Sequence, residues 1–166
     1  MDIIRKRRSI RQYTDQKVPD EIIKKLLEAA MCAPSAGNQQ PWQFIVATEK
    51  ELLKKISATH ISAGMVDRAS IVILVCGDLS HETHKGYWMI DCAAATENIL
   101  LEVVDNNLGA VWVGIYPRED RVKYLKNLFK LPENIVPFAV ISIGYPAEQK
   151  KPNNRYDEFR VHYNKW

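Results

Sequence analysis

Hydrophobic positions change their spacing along this chain in a way that separates helices from strands. Ile22, Ile23, Leu26, Leu27 and Ala30 recur at the helical interval and form a core-facing stripe. The stripe is opened by Val18-Pro19-Asp20-Glu21, whose acidic side chains suit the positive end of a helix. The helix is expected to stop near Ala33, because Pro34 disfavours helical geometry in the residue before it. Trp42 to Ala47 is rich in strand formers, and Thr48-Glu49-Lys50-Glu51 matches a capping box that opens a short helix. Ile71 to Cys76 is apolar without alternation, as in a strand covered on both faces. Tyr87 to Asn107, closed by Gly109, predicts a long helix. Its centre, Cys92-Ala93-Ala94-Ala95-Thr96, offers small side chains on every face, so protein is expected all round it. Ala110 to Ile115 and Phe138 to Gly144 read as strands on either side of a basic amphipathic helix from about Asp120 to Phe129.

Strands alternate with helices, yet the segments are unequal and the first helix precedes any convincing strand. The expected class is therefore α+β, with a mixed central β-sheet flanked by helices. A length of 166 residues allows one sizeable core, so residues 1–166 read as a single domain. The stretch 145–166 differs in kind: Tyr145, Tyr156, Phe159, Tyr163 and Trp166 are interleaved with charges and prolines. It is too aromatic for a free tail and too poor in apolar residues for a fold of its own, so it is expected to pack as an arm on a partner subunit.

Composition narrows the function classes. No apolar run is long enough to cross a bilayer, and the basic start is not followed by a signal-peptide apolar region, so a cytoplasmic protein without membrane partners is expected. Cys32, Cys76 and Cys92 form no C-x-x-C pair and lie in apolar stretches, as buried thiols do. The four histidines are not spaced as a metal site, and His81 with His84 reads as a loop pair, so no metal is expected. No nucleophile elbow, zinc-protease helix, phosphate loop or dinucleotide fingerprint is present. An enzyme so lacking in side-chain nucleophiles must take its reactivity from an organic cofactor, and no catalytic side chain is assigned.

The net charge is +3, but the positive charge gathers at Arg5 to Arg11 and from Lys150 to Lys165. Such ends suit a nucleic acid, one phosphorylated small molecule, or simply solvent. Arg7-Arg8-Ser9-Ile10-Arg11 offers planar guanidinium donors and a hydroxyl, a set that matches a phosphate monoester. The loop Pro34-Ser35-Ala36-Gly37-Asn38-Gln39-Gln40-Pro41 offers donors and acceptors able to read a polar ring edge.

These segments, with Leu108-Gly109-Ala110-Val111-Trp112-Val113-Gly114-Ile115 and Ile143-Gly144-Tyr145-Pro146, resemble in order and interval the FMN-dependent nitroreductase family, from about residue 3 to the C-terminus. The resemblance implies an intertwined homodimer with two FMN sites at the subunit interface, each built from both chains. Arg7, Arg8 and Ser9 would hold the phosphate, and Arg11 would approach the pyrimidine side of the ring. Pro34, Ser35, Ala36 and Asn38 would come from the other subunit. Val113 and Gly114 would present backbone near the ring, with Trp112 beside them. Arg155 would close on the phosphate, although the position two residues earlier, basic in many members, is Asn153 here. No ring contact is assigned to residues 60–67.

The implied activity is reduction of nitroaromatic, quinone or related acceptors by NADH or NADPH in a ping-pong cycle. Other outcomes stay open: a non-catalytic binder of FMN or nucleic acid, or the same flavin fold running dehalogenation, desaturation or flavin fragmentation. The homodimer reading expects no nucleic acid partner.

Overall fold

The computed structural model describes residues 2–166, apart from the side chain of residue 2. Helix α1 (Asp2–Lys6) leads into an extended segment, followed by α2 (Asp20–Met31), β1 (Trp42–Ala47), α3 (Lys50–Ser57), β2 (Ile71–Asp78), α4 (Trp88–Asp105), β3 (Gly109–Gly114), α5 (Glu119–Phe129) and β4 (Ile135–Gly144). Single-turn 3-10 segments at Ala36–Asn38, Leu79–His81 and Glu158–Arg160, and a longer one at Ile61–Arg68, fill the connections. No helix among the described residues is long and apolar enough to cross a membrane.

The four strands lie in the order β1-β2-β4-β3, and every neighbouring pair is antiparallel. Among the described residues parallel pairing is confined to one bridge, Ser9 with Ala110, where the N-terminal segment lies along the outer edge of β3. A second bridge, Tyr13 with Pro146, holds the same segment antiparallel to the residues after β4.

The unbroken apolar run in β2 is explained by two cores. Ile71, Ile73 and Val75 face α2 and α4, where they join Leu26, Ala30, Cys92, Ile99 and Val103. Val72, Leu74 and Cys76 face α3 and α5, where they join Leu53, Ile56 and Leu125. Side chains alternate across a strand, so a strand buried on both faces needs apolar residues at every position. Each fully buried Leu or Ile contributes about 1.5–3 kcal/mol of transfer free energy.

Three local expectations are corrected. The Thr48 capping box does not form: α3 starts one residue later, with Glu49 at its N-cap and no side-chain cap. Strand β4 begins at Ile135 rather than Phe138, because Pro137 is accommodated where the β2 register shifts between Val75 and Cys76. Cys32 is exposed, since it caps the end of α2 where the chain turns outward, whereas Cys76 and Cys92 are buried as expected. Helix α1 was not foreseen, because five residues, of which only Ile3 and Ile4 are apolar, are too few to carry a periodic apolar stripe.

Helix α4 is packed along one side and open along the other. Cys92, Ala95, Thr96, Ile99 and Val103 are buried, whereas Ile90 is 60% exposed and Ala94 and Leu101, on the same helical face, are half-buried. The C-terminal arm is more open still, with Phe159 and Trp166 84% and 98% exposed.

Candidate functional site

The basic motif at residues 7–11 is immobilised by its backbone, which frees its side chains to point elsewhere. Ile10 N–H donates to the Ala110 carbonyl at 2.9 Å. The residues after β4 hold the motif from the other side: Lys150 Nζ donates to the Ser9 carbonyl at 2.7 Å, and Glu148 Oε1 accepts from Arg11 N–H at 2.6 Å. Glu148 and Lys150 are themselves paired at 3.3 Å. The Arg11 N–H, and after it the Lys150 ammonium, hold the Glu148 carboxyl below the usual carboxylate range against the opposing effect of desolvation. Tyr13 adds a third anchor: its hydroxyl lies 2.8 Å from the Ile10 carbonyl and 2.8 Å from Ser142 Oγ. Burial pushes the phenol up to about 12, with the Ser142 contact opposing. Close packing completes the seat, since a Cβ on Gly109 would lie 2.7 Å from Ile10 Cγ2.

Two cavities flank this motif. Arg7, Arg8 and Arg155 line the first, of about 250 Å³, together with Ile4, Arg5, Glu97 and Asn153. Residues 148 apart in sequence, Arg7 and Arg155, thus reach one concavity. Among the described residues Glu97 is its one acidic lining residue, and it pairs with Arg7 at 3.3 Å. Arg8 donates to the Lys151 carbonyl and, at 2.9 Å, to Asn153 Oδ1. The neutral residue at 153 therefore orients Arg8 instead of supplying a further cation.

The second cavity, of about 210 Å³, is lined by Arg11, Trp112, Val113 and Gly114, joined by Val111, His60, Ser62, Met65 and Arg121. It opens on the outer edge of β3. Because the Ala110 carbonyl accepts from Ile10 on that edge, strand alternation turns the main-chain groups of Trp112 and Gly114 outward and those of Val113 toward β4. The Gly114 carbonyl accordingly accepts from Arg121 at 2.6 Å. Trp112 packs edge-on against Phe138, with ring centroids 5.6 Å apart.

Ser9 lines neither cavity, and nor do the other expected contacts, Pro34, Ser35, Ala36 and Asn38. Their loop is nevertheless well built. Asn38 and Gln40 both adopt positive φ, as does Gly37 between Ala36 and Asn38. Ser35 Oγ accepts from Gln40 N–H at 3.1 Å. The main support is Asp91 on α4, a buried carboxylate that accepts from Ala36 N–H at 3.0 Å and from Gln39 Nε2 at 2.6 Å. Gln39 Oε1 in turn accepts from His84 N–H at 2.9 Å.

Sequence reasoning missed Asp91, Glu148, Lys150, Arg121 and His60. For Asp91 a signal was present: one carboxylate in the apolar run Trp88-Met89-Ile90-Asp91-Cys92 is costly unless hydrogen-bonded. The others act through contacts far apart in the chain and carry no local pattern. A larger concavity, of about 700 Å³ along α5, contains none of the expected site residues.

The residues present fit a phosphorylated aromatic cofactor in part. Four guanidiniums, those of Arg5, Arg7, Arg8 and Arg155, against one carboxylate suit a phosphate monoester, and the open edge of β3 beside Arg11 suits a flat polar ring. Each cavity is smaller than the ~300–1,000 Å³ usual for a whole ligand site, and the loop at 34–38 stands apart from both, so one chain supplies an incomplete set of walls. Among the described residues no group of three or more metal-ligating side chains is gathered.

Comparison with known proteins gives a consistent picture. A profile described as the nitroreductase family matches residues 4–64 and 57–145. A protein of Methanothermobacter thermautotrophicus, provisionally named NADH dehydrogenase/NAD(P)H nitroreductase, is 48% identical over all of this chain and 87% of its own length. The crystal structure of a provisionally named NADH oxidase from Clostridium acetobutylicum superposes with a TM-score of 0.97 at 49% identity, covering 99% of this chain and all of that one. An FMN-dependent nitroreductase from Clostridium difficile R20291 gives 0.92 at 31% identity, covering 99% and 98%.

Proposed function

This chain belongs to the nitroreductase family, and on that footing we propose that it is an FMN-dependent oxidoreductase that uses NADH or NADPH to reduce quinone-like or nitroaromatic acceptors. The observation that carries the reading is the meeting of Arg7, Arg8 and Arg155 in one cavity beside a second cavity that joins Arg11 to the edge of β3. Arg7, Arg8 and Arg155 would hold the phosphate, with Ser9 fixed between the two cavities by Lys150. Arg11, Trp112, Val113 and Gly114 would border the ring.

When bound, FMN would supply the hydride chemistry, in which one hydride (a proton with two electrons) from NAD(P)H and one further proton from solvent turn a quinone into a quinol and release NAD(P)+. The chain contributes binding, orientation and charge. Arg11 favours negative charge in the cavity it lines, and the β3 edge offers fixed main-chain donors that need no reorganisation. No described side chain is required to shuttle a proton.

The complete site belongs to a homodimer in this reading. Pro34, Ser35, Ala36 and Asn38 reach a cavity of the other chain, and the exposed stripe of α4 and the aromatic arm at 145–166 are covered by the partner. In this reading the protein works in the cytoplasm, where reduced nicotinamides are held, and takes no nucleic acid as partner. The test is anaerobic mixing of the purified protein with NADH and NADPH in turn. A yellow protein bleached by either, and recoloured by a quinone, supports the reading; a colourless one that binds nucleic acid with steep salt dependence contradicts it.

A further inference from the structure

We infer that Arg121 is a second cation of the redox site, acting beside Arg11 to favour the reduced cofactor and clamping the end of the β3 edge. The inference rests on the proposed placement of FMN and extends it to a residue outside every motif that suggested it.

Four observations carry it. Arg121 lines the same 210 Å³ cavity as Arg11. Its guanidinium is anchored, because one terminal nitrogen donates to the Gly114 carbonyl at 2.6 Å, at the outward edge of β3. Its Nε is buried with no hydrogen-bond partner, the one such side-chain atom among the described residues. Finally, among the described residues no acidic side chain lines this cavity, and neither Arg11 nor Arg121 forms an ion pair.

Two guanidiniums that face one small cavity without a carboxylate repel each other, and a buried N–H without an acceptor is costly. An isolated chain has no reason to maintain both. An electron-rich occupant removes both costs at once, and one that becomes more negative on reduction gains most when reduced. Arg121 reaches the cavity from the first turn of α5, so its charge is fixed by helix packing, whereas Arg11 is exposed on a segment held by Glu148. His60 and Ser62 add polar groups to the wall, with His60 Nδ1 accepting from Ser62 N–H at 3.1 Å.

The experiment compares the dimer carrying Arg121→Gln, Arg121→Lys or Arg121→Met with the parent, each saturated with FMN, by spectroelectrochemical titration and by FMN binding. Loss of the charge in Arg121→Gln and Arg121→Met is expected to move the midpoint potential to more negative values and to weaken binding of reduced FMN about tenfold more than that of oxidised FMN. Arg121→Lys is expected to restore most of the potential, because a point charge suffices for this effect. A purely structural arginine would lower affinity for both redox forms equally and leave the potential in place, and that result overturns the inference. Failure of the parent protein to bind FMN would overturn the proposed function itself, an outcome distinct from a parent that binds FMN while Arg121 variants keep its potential.

Discussion

Asp91 Oδ2 accepts a hydrogen bond from Gln39 Nε2 at 2.6 Å, tying the first turn of α4 to the loop that a second chain is proposed to use. Its other oxygen takes the Ala36 N–H, so both oxygens act as acceptors inside the protein. Asp91→Asn keeps the shape but turns an amide donor toward one of those two donors. Hydrogen bonds to a charged group contribute about 1.5–3 kcal/mol each, which for a chain of this size corresponds to a drop in Tm of roughly 4–8 °C. Calorimetry should show that loss, and FMN titration an affinity lowered at least tenfold. An unchanged Tm with unchanged FMN binding would return the loop to an ordinary surface turn.

Glu148 and Lys150 make FMN retention sensitive to acid. The Glu148 carboxyl is held below its ordinary value of 4.5 in the folded chain, chiefly by the Arg11 N–H. A group with a depressed folded pKa contributes stability that is present above the unfolded value and is lost as pH falls through the folded one. Acidification from just above pH 4.5 downward should therefore loosen the 7–11 segment and release FMN. Glu148→Gln should bind FMN more weakly at neutral pH and show a flatter acid limb. Parallel acid limbs in the two proteins would exclude the clamp as their origin.

Tyr13 governs the opposite end of the pH scale. Burial raises its phenol from 10.0 to about 12, so the folded chain retains a proton that the unfolded chain loses. Its contribution is complete below pH 10 and disappears as pH rises through about 12. Tyr13→Phe leaves the buried Ser142 hydroxyl without its 2.8 Å partner and should cost about 1–2 kcal/mol at neutral pH. Denaturant melts of the two proteins should converge as pH is raised from 10 to 12; a constant gap would show that the phenol does not titrate with folding.

Much of this was legible in the sequence where one segment carries its own physical signal. The run Ile71 to Cys76 suits a doubly covered strand, and the two cores on either side of β2 account for every apolar position in it. Arg7 and Arg8 were readable as candidate anion ligands from their chemistry, and the fold brings Arg155 to their cavity. What escaped depends on contacts between distant segments. Lys150 belonged to a basic run that looks solvated until the chain after β4 returns along the Ser9 carbonyl. Arg121 sits on a helix whose polar face is otherwise in solvent, and only the outward turn of the Gly114 carbonyl gives it a role. Thr48 shows the converse: a good capping pattern lost because the helix begins one residue later.

In the proposed dimer one chain cannot complete a flavin site, and subunit complementation measures this directly. One chain carries Arg7→Ala with Arg8→Ala. The other carries Ser35→Ala with Asn38→Gly, glycine being chosen because Asn38 has a φ of 55°, where alanine would be strained. Each homodimer should lose FMN, since all its sites lack one half of their ligands. In the purified heterodimer one site combines both lesions, while the other joins an intact arginine motif to an intact loop. Equilibrium dialysis should therefore find one FMN per heterodimer, held as tightly as in the parent protein. No recovery in the heterodimer would mean that each chain binds its cofactor alone, and the shared site would be contradicted.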